Sequence, residues 1–458
     1  MRFILLVFAL FVSSCGDKRE PAPSPRELVI LTRAASTADG DEASGTTGFD
    51  SELARMLAQE LGMSARLVVA DNEADIVYRL RTGDAHLAAA WQVAVKDLRS
   101  SQPYLHSHNV LVTHEASLPL RTVEQLANKT VHVVAGSRQE AALRRVKRKI
   151  ASLNIVASRK RTELDLMEGV ANQRFEATLV NNAEFDIGSN YYPELQASLV
   201  IGSPQPIVWL FAPEVDAELV SKSNAFLQHI EANGEMDRLK DRYFGHVDRL
   251  TPADSVRFIE RMRRVLPRYR DAFRAAQTRT GIDWRLLAAL AYQESHWDPL
   301  ATSPTGVRGL MMLTADTADA LGVNNRLDPE QSIRAGAQYL AELRDALPPS
   351  VGERDRLSLA LAAYNLGMGH LNAARYIART RNANPDSWYE MKKVLPLLAK
   401  PQYYSRLKSG KGRGGEAVIM AENVRIYNDI LNRHEPAYRP VDRFATTLMR
   451  REQTEKRR

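Results

Sequence analysis

Glu294 is the residue of this chain best placed for acid–base chemistry. It lies in Ala291-Tyr-Gln-Glu294-Ser-His-Trp-Asp-Pro299, after a run in which Trp284, Leu287, Leu290 and Ala291 recur at helical spacing. It continues that apolar face one turn beyond Leu290 and Ala291. Burial disfavours an ionised carboxylate and raises its pKa. A carboxyl group that keeps its proton near neutral pH can give it to a leaving-group oxygen. The bland reading is a Glu at a helix end bonded to backbone or to an Arg, and position alone leaves both open. Asp298 is the other carboxylate of this stretch, and it stands before Pro299, where a turn former belongs.

The surrounding elements must hold Glu294 in a cleft. Downstream, Ser303 to Gly309 is a polar, glycine-bearing loop, and the apolar run that starts at Leu310 reads as a second helix. Farther on, the apolar helical run Leu357 to Ala363 leads into Tyr364-Asn365-Leu366-Gly367. Gly367 and Gly369 stop that helix and let a ligand approach the backbone. Tyr364 offers a stacking face, and Asn365 offers donors and acceptors, which suits a sugar bearing an N-acetyl group.

Taken in order, Glu294-Ser295, the Gly309-Leu-Met segment and Ala363-Tyr-Asn-Leu-Gly367 resemble the signature of the soluble lytic transglycosylases, a lysozyme-like family. Asn384-Pro-Asp-Ser-Trp388, Leu395-Pro-Leu-Leu398 and Tyr403-Tyr404-Ser405 resemble its membrane-bound branch F in particular. So does Met312, where most of the superfamily has Gln. In one departure, Met420 stands where the family carries a Tyr near the catalytic acid, and Tyr403, Tyr404 and Tyr427 are the candidates to replace it. The resemblance implies an all-α, lysozyme-like unit that cleaves the β-1,4 bond between N-acetylmuramic acid and N-acetylglucosamine in peptidoglycan glycan strands. It implies Glu294 as acid and then base, with Ser295, Ser303, Met312, Tyr364 and Asn365 at the substrate, and no cofactor. His296, His370 and His434 fall at no metal-ligand spacing, so no metal site is expected. Two other readings compete: a hydrolysing lysozyme, and a lipoprotein that binds glycan or solute without cutting. Met420 favours the second, and Glu294-Ser295 speaks against it.

The N-terminal half has a different rhythm. Leu28–Leu31, Leu67–Val69 and Leu87–Ala90 read as strands, Phe49–Leu61 and Ile76–Leu80 as helices, which at this spacing means α/β with parallel pairing. Gly48-Phe-Asp-Ser-Glu-Leu-Ala54, Leu80-Arg-Thr-Gly-Asp-Ala85, Gln102-Pro-Tyr104, Val131 to Ser137 and Gly234 to Gly245 resemble the type-3 periplasmic solute-binding proteins. That resemblance covers residues 27–247. It implies two lobes that close on a ligand, the second near residues 117–201, with a return strand at Ile207–Phe211. Tyr104, Gly136, Ser137 and Arg138 are the candidate ligand contacts, the backbone amides of Gly136-Ser-Arg138 being able to hold an anion. Amino-acid binders of this family carry an Arg before the Pro-Tyr segment and an Asp late in the second lobe. Here the Arg is offset to Arg99 or replaced by Lys96, and Asn181-Asn182 stand where the carboxylate is expected. An amide cannot neutralise an ammonium group. A ligand-binding unit, with a muropeptide as candidate, and a docking module without a free amino-acid ligand both stay open.

With 458 residues, the chain has length for two or three cores. A net charge of +7 suits an anionic polymer, but no nucleic-acid motif is present. Part of the charge sits in a solvated tail, and the Arg-rich segment Asp254–Tyr269 reads as an exposed or inter-domain helix. Cys15 is the single cysteine, so no intramolecular disulfide forms. Met1-Arg2, the short apolar run Phe3–Val12 and Ser13-Ser14-Cys15 resemble a bacterial lipoprotein signal. Cleavage would leave Cys15 lipidated, and Gly16 rather than Asp after it implies the periplasmic face of the outer membrane. Two or three acyl chains anchor stably where one does not. The expected division is therefore a signal at 1–14, a Pro-rich tether at 15–26, the binding-protein-like unit at 27–247, the transglycosylase-like unit at 248–445 and a basic tail at 446–458.

Overall fold

The computed structural model describes residues 27–32, 48–91, 95–245 and 250–439. The signal, Cys15, the tether and the basic tail lie outside these residues.

The first unit is α/β. β1 (Glu27–Thr32) is buried from Leu28 to Leu31 because it runs between two parallel neighbours, β2 (Ser64–Val69) and β3 (Leu87–Trp91). α1 (Phe49–Glu60) and α2 (Glu73–Arg81) make the crossovers, and Asn72 caps α2 by accepting from the Asp75 amide. β4 (Arg99–Ser100) and β5 (Leu105–His114) lead into the second lobe. There β6 (Thr130–Val134), α3 (Arg138–Lys147), β7 (Asn154–Ser158), α4 (Glu163–Ala171), β8 (Ala177–Asn181) and α5 (Asn182–Tyr191) repeat the pattern, with β6 parallel to both β7 and β8.

β9 (Leu195–Phe211) is one strand of 17 residues that pairs with β5 and then with β3, so the order β2-β1-β3-β9-β5-β8-β6-β7 passes through both lobes. Its last residues, Ile207–Phe211, are the return strand expected there, and they pair with β3 as the chain re-enters the first lobe. Gly202, Pro204 and Pro206 look like a break in sequence. In the structure Gly202 and Pro204 fall where the β5–β9 register shifts between Ser107 and Asn109, with Pro206 just past it opposite His106, and a bulge tolerates a residue without an N–H. α6 (Ala217–Ala232) and α7 (Glu235–Phe244) return to pack on α1.

The second unit is all-α. Its helices are α8 (Pro252–Arg264), α9 (Arg270–Thr280), α10 (Trp284–Ser295), α11 (Ala315–Ala320), α12 (Pro329–Asp345), α13 (Glu353–Leu366), α14 (Met368–Thr380), α15 (Trp388–Val394), α16 (Pro401–Tyr404) and α17 (Gly414–His434). α10 and α17 pack along each other, with the Tyr292 ring 4.8 Å from Tyr427 and 4.6 Å from Phe258 of α8. The apolar run from Leu310 is not the helix expected. Arg308 bridges to Thr302 and Leu313, and α11 starts only at Ala315. Gly309 is the cause: its φ is 83°, and a Cβ there would overlap the Arg326 carbonyl oxygen.

The helical unit grips both lobes. α8 turns Phe258, Ile259 and Met262 inward, and α5 packs against α8 and α17. Leu164, Met167, Ile187 and Tyr191 of the second lobe share one apolar cluster with Phe258 and Tyr427. At the end of α17, Arg433 donates to Glu168 at 2.7 Å and to the Tyr192 hydroxyl at 2.9 Å. The first lobe is tied by Lys392 to Asp241 and by Arg354 to Glu52.

Candidate active site

α10 ends in two left-handed residues, His296 (φ 53°) and Trp297 (φ 59°). Neither is a glycine, so the surroundings must hold them there. Trp297 does so by burying its ring and donating from Nε1 to the Ala288 carbonyl at 2.8 Å. Arg261 of α8 donates from Nε to the His296 carbonyl at 2.8 Å. This sharp end leaves Glu294 in the last turn of the helix. Burial pushes its carboxyl up to about 7, and the partial negative charge of a helix C-terminus acts in the same direction.

Two polar contacts build the wall beside it. Ser295 Oγ is buried and donates to the Leu310 carbonyl at 2.7 Å, which pins the Gly309–Leu313 turn to α10. Tyr364 donates from its hydroxyl to the Met311 carbonyl at 2.8 Å. Its phenol is held well above the usual range by burial and by the charge of Glu294 nearby. Glu294, Ser295, Tyr364 and the Met311-Met312 turn are thus brought together, with Met312 in a left-handed conformation (φ 49°). Asn365 is exposed beside them. Ser303 serves its own loop: its Oγ lies 2.9 Å from Thr305 Oγ1 and accepts from the Val307 amide at 3.2 Å. Asp298 accepts from the Leu300 amide at 2.9 Å, as a turn former does.

Between the lobes of the first unit lies a cleft of about 650 Å³, lined by Asn72, Gly136, Ser137, Arg161, Glu163 and Asn182 among others. Gly136 and Ser137 line it, but the nest they form is filled from within the chain. The Gly136 amide donates to Glu140 at 2.7 Å, and Ser137 caps α3. Arg138 pairs with Glu73 of the other lobe at 3.1 Å, closing one side of the cleft. Tyr104 is buried in the first lobe and donates to Asp50 at 2.7 Å. Asn182 accepts from Ser107 Oγ and the His108 amide, each at 3.1 Å, so this amide holds backbone at the lobe crossing.

Residues 271–387 match the family model of the transglycosylase SLT domain, and residues 33–246 that of the bacterial extracellular solute-binding proteins, family 3. The membrane-bound lytic murein transglycosylase F of Methylobacillus flagellatus is 39% identical over 449 residues, which is 96% of this chain and 95% of that protein. The protein of that name from Ectopseudomonas mendocina is 38% identical over 92% of this chain and 88% of its own length. The chain belongs to the membrane-bound lytic murein transglycosylase F family. It is an enzyme, a lytic transglycosylase with a solute-binding unit in front of it.

Sequence reasoning missed parts of this transglycosylase. Tyr339 of α12 lies with its ring 5.3 Å from Tyr364. Its signal is Gly336, one turn earlier, where a Cβ would come within 2.7 Å of the Met311 side chain, so α12 packs directly on the turn beneath the acid. Glu73, Asn72 and Glu163 of the cleft gave no sign of themselves, since each reads as an ordinary first-turn or capping residue. Of the tyrosines considered against Met420, Tyr427 sits in the ring cluster behind α10 and Tyr403 accepts from Arg381 at 3.0 Å, while Met420 itself is buried on α17.

Proposed function

We propose that Glu294 cleaves the β-1,4 bond between N-acetylmuramic acid and N-acetylglucosamine without water. The carboxyl gives its proton to the glycosidic oxygen as the bond from the muramic acid C1 breaks. The N-acetyl carbonyl of that sugar shields the positive centre in place of a second carboxylate. The Glu294 carboxylate then takes the proton of the sugar's own 6-hydroxyl, whose oxygen closes the 1,6-anhydro ring on C1. A glycosidase of the ordinary kind needs two carboxyl groups flanking the bond. The observation that carries this reading is Glu294 itself, a half-buried carboxyl pushed up to about 7 by desolvation whose sequence neighbour Asp298 is engaged in a turn. Tyr364, Asn365 and Met312 hold the sugar, and Ser295 and Ser303 keep the surrounding loop in place.

The test is mass spectrometry of sacculi digested with the full protein. Muramic acid ends lighter by one water support the reading, and hydrated ends make the enzyme a lysozyme. Glu294→Gln is isosteric and has no acid proton, so it is expected to lose at least about a hundredfold in rate while keeping its fold. A near wild-type rate overturns the assignment.

The first unit, residues 27–247, is proposed to sense a cell-wall-derived ligand such as a muropeptide and to bias the unit at 248–445. Support comes from the inter-lobe cleft and from the grip of the helical unit on both lobes. Any ligand effect is bounded by its differential affinity for the two states. The protein is also proposed to be lipid-anchored through Cys15 to the outer membrane. No helix of the described residues is long and apolar enough to cross a membrane. Cys15→Ala is expected to move the protein from the membrane fraction to the soluble periplasm, and a variant that stays bound after a high-salt wash points to another anchor.

A further inference from the structure

α13 and α14 meet at a corner one residue wide. α13 ends at Leu366, α14 begins at Met368, and Gly367 turns the chain between them with φ 85° and ψ 147°, a backbone that favours glycine. The outer side of the corner is open. Asn365 is exposed, and a Cβ at Gly367 or Gly369 would meet nothing within 4 Å. The last carbonyls of a helix have no amide of their own helix to accept from. At this corner the Ala363 carbonyl takes the Gly367 amide at 2.8 Å, and the Leu366 carbonyl lies 3.0 Å from Nδ1 of His370. A carbonyl oxygen can only accept, so Nδ1 carries the hydrogen and donates it.

The His370 ring is held in place by backbone. Gly412 is buried against it, where a Cβ would lie 2.8 Å from Cδ2, and the Gly412 amide donates to the Leu398 carbonyl at 3.1 Å. Nε2 is buried with no hydrogen-bond partner among the described residues. Burying an unpaired acceptor is unfavourable, and an apolar side chain would fill the same space without that penalty. What histidine adds at this position is the Nδ1 hydrogen, and its target is the carbonyl of the residue next to Asn365.

We propose that His370 is a positioning residue for glycan binding. By holding the Leu366 carbonyl it fixes the last turn of α13, and so sets the Asn365 side chain on the open face of the corner. Tyr364, in the same turn, is held by its own bond to the Met311 carbonyl at 2.8 Å. The proposal rests on the reading in which Tyr364 and Asn365 hold the sugar. His370 acts through the backbone of α13 and not by contact with the glycan.

The experiment measures binding to isolated sacculi by the full-length protein carrying Glu294→Gln, which takes cleavage out of the readout. Two further changes separate donation from packing. Asn and Leu branch alike and are similar in size, but only Asn has an amide nitrogen where Nδ1 stands. His370→Leu is expected to weaken binding about five- to tenfold, and His370→Asn to recover most of that loss. The order of stability should be the reverse, His370→Leu melting no lower than His370→Asn, because an apolar side chain suits a buried site. A purely structural role puts binding and melting in the same order. Binding by His370→Leu that equals or exceeds that of His370→Asn, or that equals the parent, overturns the proposal. Asn365→Ala supplies the reference: its loss and that of His370→Leu should not add in the double variant, since both act through one contact. If the two losses add, the proposal falls and the sugar-binding role of Asn365 stands. If Asn365→Ala alone binds as tightly as the parent, that role falls and the proposal with it. The mass of the products, assayed separately, decides the catalytic role of Glu294.

Discussion

A desolvated acid leaves a mark on stability as well as on rate. The Glu294 carboxyl holds its proton to about pH 7, above the 4.5 of a free Glu. The folded state therefore binds the proton more tightly than the unfolded state does. Stability is fully present below about pH 4.5, declines as pH rises, and the loss is complete above about 7. Glu294→Gln carries no such penalty. Its unfolding free energy should exceed that of the wild type at pH 8 by about 3 kcal/mol, read as a higher melting temperature, and the gap should close as pH falls below about 4.5. Cleavage should fall roughly tenfold per unit of pH above about 7. A gap that does not change with pH means the carboxyl is not desolvated as described. The place of Glu294 at the end of α10 was legible because helical apolar spacing needs nothing beyond neighbouring residues. The partner of Ser295 was not, because the Leu310 carbonyl comes from a separate turn.

At the scale of elements, Gly309 decides the local path. Gly309→Ala meets both a left-handed backbone and the Arg326 carbonyl, so it should cost about 3 kcal/mol or more, read as a lower denaturant midpoint with loss of cleavage. Ser295→Ala leaves the buried Leu310 carbonyl without its donor and should cost about 1 to 3 kcal/mol, with the turn beside Glu294 loosened and the rate lowered. A midpoint unchanged in Ser295→Ala would show that the turn is held by other means. The helix misread from Leu310 and the unforeseen reach of β9 upstream of Ile207 each have a local cause. Apolar content at Leu310–Leu313 reports burial and not shape, and the prolines of β9 mark a bulge as readily as an end. Periodic runs such as Leu28–Leu31, Phe49–Leu61 and the approach to Glu294 were readable because they carry their own partners. The contents of the inter-lobe cleft were not, because Arg138 meets Glu73 across 65 residues of chain.

For the whole molecule, the salient feature is the grip of α17 on the second lobe. Arg433→Ala removes donors to Glu168, Asp165 and the Tyr192 hydroxyl at once, and should loosen that contact while leaving the first lobe tied through Lys392 and Arg354. Apolar side chains of α4, α5, α8 and α17 form one cluster across the boundary, so the helical unit shares an interior with the second lobe, while the first lobe keeps a core of its own. Two units joined by a flexible tether melt as two events; units that share an interior melt as one. Calorimetry of the intact chain should show the helical unit and the second lobe melting within one heat-absorption peak, and Arg433→Ala should broaden that peak toward two. Where the enzyme melts together with the second lobe, heat cannot strip away all of the lobed half and leave a lone wall-cutting enzyme behind.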